Sequence, residues 1–139
     1  MKVKDAMHKR ATWVTPDTSI RAAAKLMRDE DIGAIPVGEN DRLVGMITDR
    51  DIACRGLANG KDVAKLTVGR VMTKPIVYCR EKDKLEVAAK IMEKKGVRRL
   101  PVIDENKRMV GMLSLGDISS KAPKLLSGEV LKAVSAHHR

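Results

Sequence analysis

Apolar positions along the chain follow two rhythms. Ile20, Ala23, Ala24 and Met27 recur at intervals of three and four residues, as do Leu85, Ala88, Ala89 and Met92. That spacing places each set on one face of a helix. Pro16-Asp17-Thr18-Ser19 supplies turn and N-cap chemistry for the first helix, and Asp83 is the expected N-cap of the second. Gly96 is a good stop for the second helix, and Asp31 is the weaker stop at the matching place in the first. A short apolar run precedes each helix, Ala11 to Val14 and Ile76 to Cys79. Two apolar runs follow it around a polar turn. In the first case these are Ile35-Pro36-Val37 and Leu43 to Ile47 around Gly38 to Arg42. In the second they are Leu100 to Ile103 and Met109 to Leu113 around Asp104 to Lys107. Both read as hairpins. Further helices open near Asp49-Arg50-Asp51 and Gly116-Asp117. The predicted unit is strand, helix, strand, strand, helix, and the fold class is α+β (mixed α/β).

The two sets are one pattern written twice. An offset of 65 residues lays Met7 on Met72, Ile20 on Leu85, Ala23 to Met27 on Ala88 to Met92, and Ile35-Pro36-Val37 on Leu100-Pro101-Val102. After one inserted residue, an offset of 66 lays Val44 to Thr48 on Val110 to Ser114, and Asp51-Ile52 on Asp117-Ile118. Agreement in order over such a length marks an internal duplication. Halves this short bury little surface alone, so they are expected to pack as a pseudo-twofold pair. The predicted organisation is a first domain with its linker at 1–62, a second at 63–122, and a C-terminal helix and tail at 123–139, with Leu125 to Val134 as the helix.

Composition narrows the classes. The chain has 139 residues, 43% of them hydrophobic and 33% charged, which is globular rather than disordered. No apolar run reaches the roughly 20 residues of a membrane span. The N-terminus meets no apolar segment of a secretory signal, so a cytoplasmic protein with no membrane partner is expected. Trp13 and Tyr78 are the aromatic residues, so the core must be aliphatic, and base-stacking recognition of single-stranded nucleic acid lacks its platforms. Cys54 and Cys79 have no CxxC spacing and read as buried free thiols in a reducing compartment; no metal ligand set is expected, and His137-His138 read as a solvated tail. The net charge of +10 suits an anionic partner, from a phosphate-bearing small molecule to nucleic acid, although the basic residues are scattered.

The recurring chemistry is Thr48-x-x-Asp51 and Ser114-x-x-Asp117, each at a strand-to-helix junction. A carboxylate there accepts from both hydroxyls of a ribose, and a hydroxyl with a helix N-terminus suits a phosphate. The same residues also read simply as N-caps. No GxxxxGK[ST] or GxGxxG loop occurs, and no Ser-His-acid pattern, so no catalytic residue is assigned.

Helix, hydrophobic-Pro-Val, polar turn, Val-Gly-Met-hydrophobic-Thr/Ser, then Asp: this order resembles the CBS domain, and the chain resembles a tandem pair of such domains over nearly its whole length. The resemblance implies clefts between the halves, a homodimer, and adenosine ligands of the AMP or ATP kind held as regulatory ligands, with no required cofactor. It also implies a non-enzymatic, energy-sensing role read by an unknown downstream protein. Carried over residue by residue, it assigns the main cleft to Ala11, Thr12, Ile32, Gly33 and Ala34 for the adenine, Ser114 and Asp117 for the ribose and phosphate, and Arg98 and Arg99 for the phosphate. A second, weaker cleft takes Thr48, Arg50 and Asp51, with Ile76, Val77 and Val97 on its opposite wall. Gly33 and Ala34 stand where the main cleft has Arg98 and Arg99, which removes two phosphate donors. The alternative is a basic interaction module for protein or nucleic acid with empty clefts. Nucleic acid is not favoured, because no recognised binding motif is present.

Overall fold

The computed structural model describes residues 1–9, 12–60, 62–74 and 76–121. In chain order these form α1 (Val3–Ala6), α2 (Ile20–Glu30), β1 (Ala34–Glu39), β2 (Arg42–Thr48) and α3 (Asp49–Asp51), which runs on as a π-helical segment, Ile52–Leu57. A 3-10 turn at Val63–Lys65 leads to α4 (Val68–Val71), β3 (Cys79–Arg80), α5 (Leu85–Lys95), β4 (Arg99–Ile103), β5 (Met109–Ser114) and α6 (Leu115–Lys121). The expected Ala11, the helix at 125–134 and His137-His138 lie outside the described residues.

The chain divides into two compact units, and they are not the two repeats taken whole. Residues 12–76 make one, and residues 1–11 with those from 77 onward make the other. In the second of these, Val3 and Ala6 of α1 join a core with Cys79, Leu85, Ala88, Met92, Leu100, Val102, Leu113 and Ile118. In the first, Val68 and Val71 of α4 join Val14, Ile20, Ala23, Met27, Ile35, Val37 and Ile47. The repeat pairs Val3 with Val68 and Ala6 with Val71. The leading helix of each repeat has therefore been exchanged into the other repeat's core. Fully burying a valine such as Val3 or Val68 contributes about 1.5–3 kcal/mol.

The two hairpins are images of each other. β1 and β2 pair antiparallel with Ala34 opposite Thr48, and β4 and β5 with Arg99 opposite Ser114. Asn40 and Asp41 carry the first turn at φ of 54° and 64°, the left-handed pair that a two-residue hairpin needs. The strands are longer than expected, because Gly38 and Glu39 pair with Leu43 and Arg42 instead of lying in the turn. Each hairpin is extended on both edges. β3 pairs parallel with β4, Cys79 beside Val102, and His8 bridges Met112 on β5. In the other unit Val14 bridges Val37 and Thr73 bridges Met46.

Three expectations need correction. Among the described residues of the apolar run at 11–14, Val14 makes a single bridge, and the counterpart run forms a strand only at Cys79–Arg80. Pairing along the hairpin edge requires one side chain in two to face the core, so Trp13 and Tyr78 are left partly exposed. Asp83 does not cap α5. The N-cap is Lys84, which makes no capping bond, and the Asp83 carboxylate accepts from the Arg80 N–H at 2.9 Å in the preceding turn. Ala24 is exposed while its counterpart Ala89 is buried. The other stops and caps hold: Ser19 accepts from the Ala22 N–H at 3.1 Å, and Asp31 and Gly96 end α2 and α5 in left-handed geometry.

Candidate functional site

Each hairpin ends in the same reciprocal box. The Thr48 hydroxyl accepts from the Asp51 N–H and an Asp51 carboxylate oxygen accepts from the Thr48 N–H, both at 3.0 Å. Ser114 and Asp117 repeat this at 3.0 and 2.8 Å. The box arises because a strand that turns directly into a helix leaves N–H groups unpaired, and short polar side chains three residues apart satisfy two of them. It is tied down by a backbone bond from the residue that precedes the hairpin: the Asp49 N–H donates to Gly33 and the Leu115 N–H to Arg98, at 3.0 and 2.8 Å. Asp51 and Asp117 are the buried charged residues among the described core, 9% and 6% exposed.

A buried carboxylate needs partners beyond its own box, and each Asp finds one on a segment that sequence reading passed over. The Thr73 hydroxyl lies 3.0 Å from both carboxylate oxygens of Asp51. His8 Nε2 lies 2.9 Å from Asp117 Oδ1. His8 and Thr73 are equivalent under the offset of 65, each following the methionine that ends its leading helix. That correspondence was visible in the repeat, but its meaning depends on where the exchanged helix delivers the chain. A second pair of equivalents anchors those helices. Lys121 Nζ donates to the Ala6 carbonyl at 3.1 Å, and one guanidinium nitrogen of Arg55 donates to the Val71 and Met72 carbonyls at 3.3 and 3.1 Å. Cations suit the unpaired carbonyls of a helix C-terminus.

The expected site residues are divided between the units. Thr12, Ile32, Gly33, Ala34, Thr48, Arg50, Asp51 and Ile76 belong to one; Val77, Val97, Arg98, Arg99, Ser114 and Asp117 belong to the other. Within the first, Ala34 faces Thr48 across the hairpin, and Asp49 lies against Gly33, where a Cβ would meet its carboxylate oxygen at 3.0 Å. Arg50 is exposed and its N–H donates to Asp49 at 2.8 Å. The Thr12 hydroxyl donates to Glu30, and Ile32 and Ile76 are half-buried. Within the second, Arg99 and Ser114 are cross-strand neighbours, so their side chains share one sheet face. Arg98 is exposed; Val77 and Val97 are half-buried against the core. Asp49 and Arg50 thus flank the buried Asp51 in one box, while in the other His8 lies on Asp117 and Arg99 stands across the hairpin from Ser114.

Burial pushes the Cys79 thiol up to about 12, with the nearby Asp83 carboxylate adding to the effect. Cys54, expected to be buried as well, is exposed on the π-helical segment that follows α3. Among the described residues, no three His, Cys, Asp or Glu side chains cluster as metal ligands, and no helix is long and apolar enough to cross a membrane.

The hairpin-and-box repeat matches the CBS domain twice, over residues 3–55 and 68–124. The chain belongs to the CBS-domain family. Hypoxic response protein 1 of Mycobacterium tuberculosis is 39% identical over 94% of this chain and 92% of its own length. A crystal structure of that protein, with two coordinated zinc ions, superposes at a TM-score of 0.82 over 88% of this chain and all of that one, at 40% identity. The CBS domain pair of protein MJ0100, solved with 5′-methylthioadenosine and S-adenosyl-L-methionine, is 31% identical with a TM-score of 0.76, over 86% of this chain and 98% of that one. CBSX2 in complex with AMP is 29% identical with a TM-score of 0.76, over 87% and 95%. As a tandem CBS pair with mixed α/β architecture, the chain falls among regulatory modules.

Proposed function

We propose that this protein is a non-catalytic sensor that binds an adenosine-containing ligand at its two Thr/Ser-x-x-Asp boxes. The observation that carries the reading is the pair of carboxylates, Asp51 and Asp117, held buried in identical boxes at equivalent hairpin ends. A carboxylate in such a frame presents fixed acceptors to vicinal hydroxyls, which is the recognition a ribose requires. Adenosine ligands in the MJ0100 pair and CBSX2 support the class. The Asp117 box, with Arg98 and Arg99, takes a phosphate-bearing ligand, because guanidinium offers a permanent charge and a fork of donors. The Asp51 box, with Gly33 and Ala34 at those places and Asp49 beside them, takes a ligand of less negative charge or none. Ligand binding shifts the protein between conformations by its different affinity for each. In this reading the protein is a cytoplasmic homodimer whose state another protein reads.

The test is calorimetric titration with AMP, ATP, S-adenosylmethionine and adenosine, beside Asp117→Ala and Asp51→Ala variants checked for folding by circular dichroism. AMP binding lost in folded Asp117→Ala supports the assignment. A folded wild type that binds none of the four overturns it. The +10 charge then makes an anionic macromolecule the next partner to screen, recognised by steep loss of binding with salt.

A further inference from the structure

The two boxes differ most at the residue that lies on the carboxylate. Thr73 and His8 occupy equivalent places, and both bridge the outer hairpin strand at a methionine, Met46 or Met112. The Thr73 hydroxyl donates to Asp51, and His8 Nε2 lies 2.9 Å from Asp117 Oδ1. A hydroxyl never changes charge, whereas imidazole is the side chain that does so between pH 5 and 8. The His8 side chain is 71% exposed while that of Asp117 is 7% exposed, so His8 is the solvent-facing member of the pair. Its position beside β5 is enforced by Gly111, where a Cβ would come within 2.5 Å of the His8 carbonyl oxygen.

We propose that His8 is the specificity-determining residue that sets the charge preference of the Asp117 box, so that uptake of an anionic ligand there is coupled to protonation of His8. This rests on the nucleotide reading above. When His8 is neutral, the box holds an uncompensated carboxylate close to where an anionic ligand must enter. When His8 is protonated, its charge cancels that of Asp117, yet the carboxylate keeps lone pairs for ribose hydroxyls. Arg98 and Arg99 then act on the anion with less opposition. The other charged groups on elements around His8 are Lys4 and Asp5 of α1, Lys121 of α6 and the adjoining Lys9; β5 has none. Lys121 is engaged by the Ala6 carbonyl and Asp5 by the Lys2 N–H, and the lysines keep their charge across this pH range. The Asp51 box has Thr73 and a second carboxylate, Asp49, and therefore no such proton-coupled preference.

The experiment compares adenosine with adenosine 5′-sulfate, whose charge is constant between pH 5.5 and 7.5. The expected result for the wild type is a preference for the sulfate that rises about threefold as the pH falls from 7.5 to 5.5, the size of one partly exposed charge. His8→Thr, which installs the residue of the other box, makes the preference flat. By reciprocity of linkage, saturating sulfate raises the NMR titration midpoint of His8 in the wild type and adenosine leaves it in place; this readout stands even if the variant fails to fold. A wild-type preference that ignores pH, a His8→Thr protein with the same pH dependence, or a His8 midpoint unmoved by sulfate overturns the proposal while leaving nucleotide binding intact. Failure of both ligands to bind the folded wild type overturns both.

Discussion

The Asp51 and Asp117 boxes share a backbone frame and differ in the charges set around it. Both rest on a Thr/Ser-x-x-Asp reciprocal bond, a tie to the residue before the hairpin, and a polar side chain that follows an exchanged helix and lies against the carboxylate. Around that frame one has Gly33, Ala34, Asp49 and Thr73; the other has Arg98, Arg99, Leu115 and His8. A duplication conserves what folding demands, since a buried carboxylate without partners costs stability in either copy. The positions free to differ are those whose side chains leave the frame, and in the proposed reading these set which ligand each box accepts.

The sharpest way to break the comparison is to remove the charge difference. Arg98→Ala with Arg99→Ala is expected to cost about 3 kcal/mol of AMP affinity, roughly a hundredfold, at about 1.5 kcal/mol or more for each charged hydrogen bond. Adenosine, which has no phosphate, should bind the variant as it binds the wild type. Equal losses for both ligands in calorimetry would show that the arginines support the fold rather than the phosphate.

A smaller effect separates the two frames themselves. A Cβ at Gly111 meets the His8 backbone oxygen, whereas at Gly45 it meets the Met72 thioether sulfur, both at 2.5 Å. Backbone cannot swing aside and a methionine side chain can. Gly111→Ala should therefore destabilise by about 1–3 kcal/mol and Gly45→Ala by less, as read from urea unfolding midpoints. Equal costs would mean that His8 is not held against β5 as described.

The last effect concerns the thiols and vanishes below pH 9. Cys79 remains protonated in the folded protein up to about pH 12, against 9.0 for a free thiol. Above pH 9 the unfolded chain loses this proton first and binds fewer protons than the folded chain. Stability therefore falls as pH rises from about 9 toward 12, by at most about 1.4 kcal/mol per pH unit. Wild type should lose stability faster than Cys79→Ala between pH 9 and 10.5. At pH 8 a thiol reagent should label Cys54 in the native protein and spare Cys79. Labelling of Cys79 at a similar rate would show that the core around β3 is open.

Much of this was legible from spacing. Helix faces, hairpins, the duplication and the Thr/Ser-x-x-Asp boxes are local patterns, because burial on one side of a helix or strand imposes its own period on the residues that supply it. Arg98 and Arg99 against Gly33 and Ala34 could be compared because the repeat aligns them. Boundaries were less legible. The apolar runs at 11–14 and 76–79 suggested strands, but edge pairing takes only the residues whose register meets the hairpin. Asp83 had the right chemistry for a cap but lies one residue too early.

The sequence by itself therefore determined the repeated α+β unit, its apolar faces and the two carboxylate boxes, since each follows from residues within a few positions of one another. Only the tertiary structure decided that α1 and α4 trade cores, that Lys121 and Arg55 close their C-terminal ends, and that His8 and Thr73 come to rest on Asp117 and Asp51. Those pairings join residues far apart in the chain, and no periodicity records them. They are set by which apolar surface the leading helix finds to bury itself against, and that is a property of the assembled core.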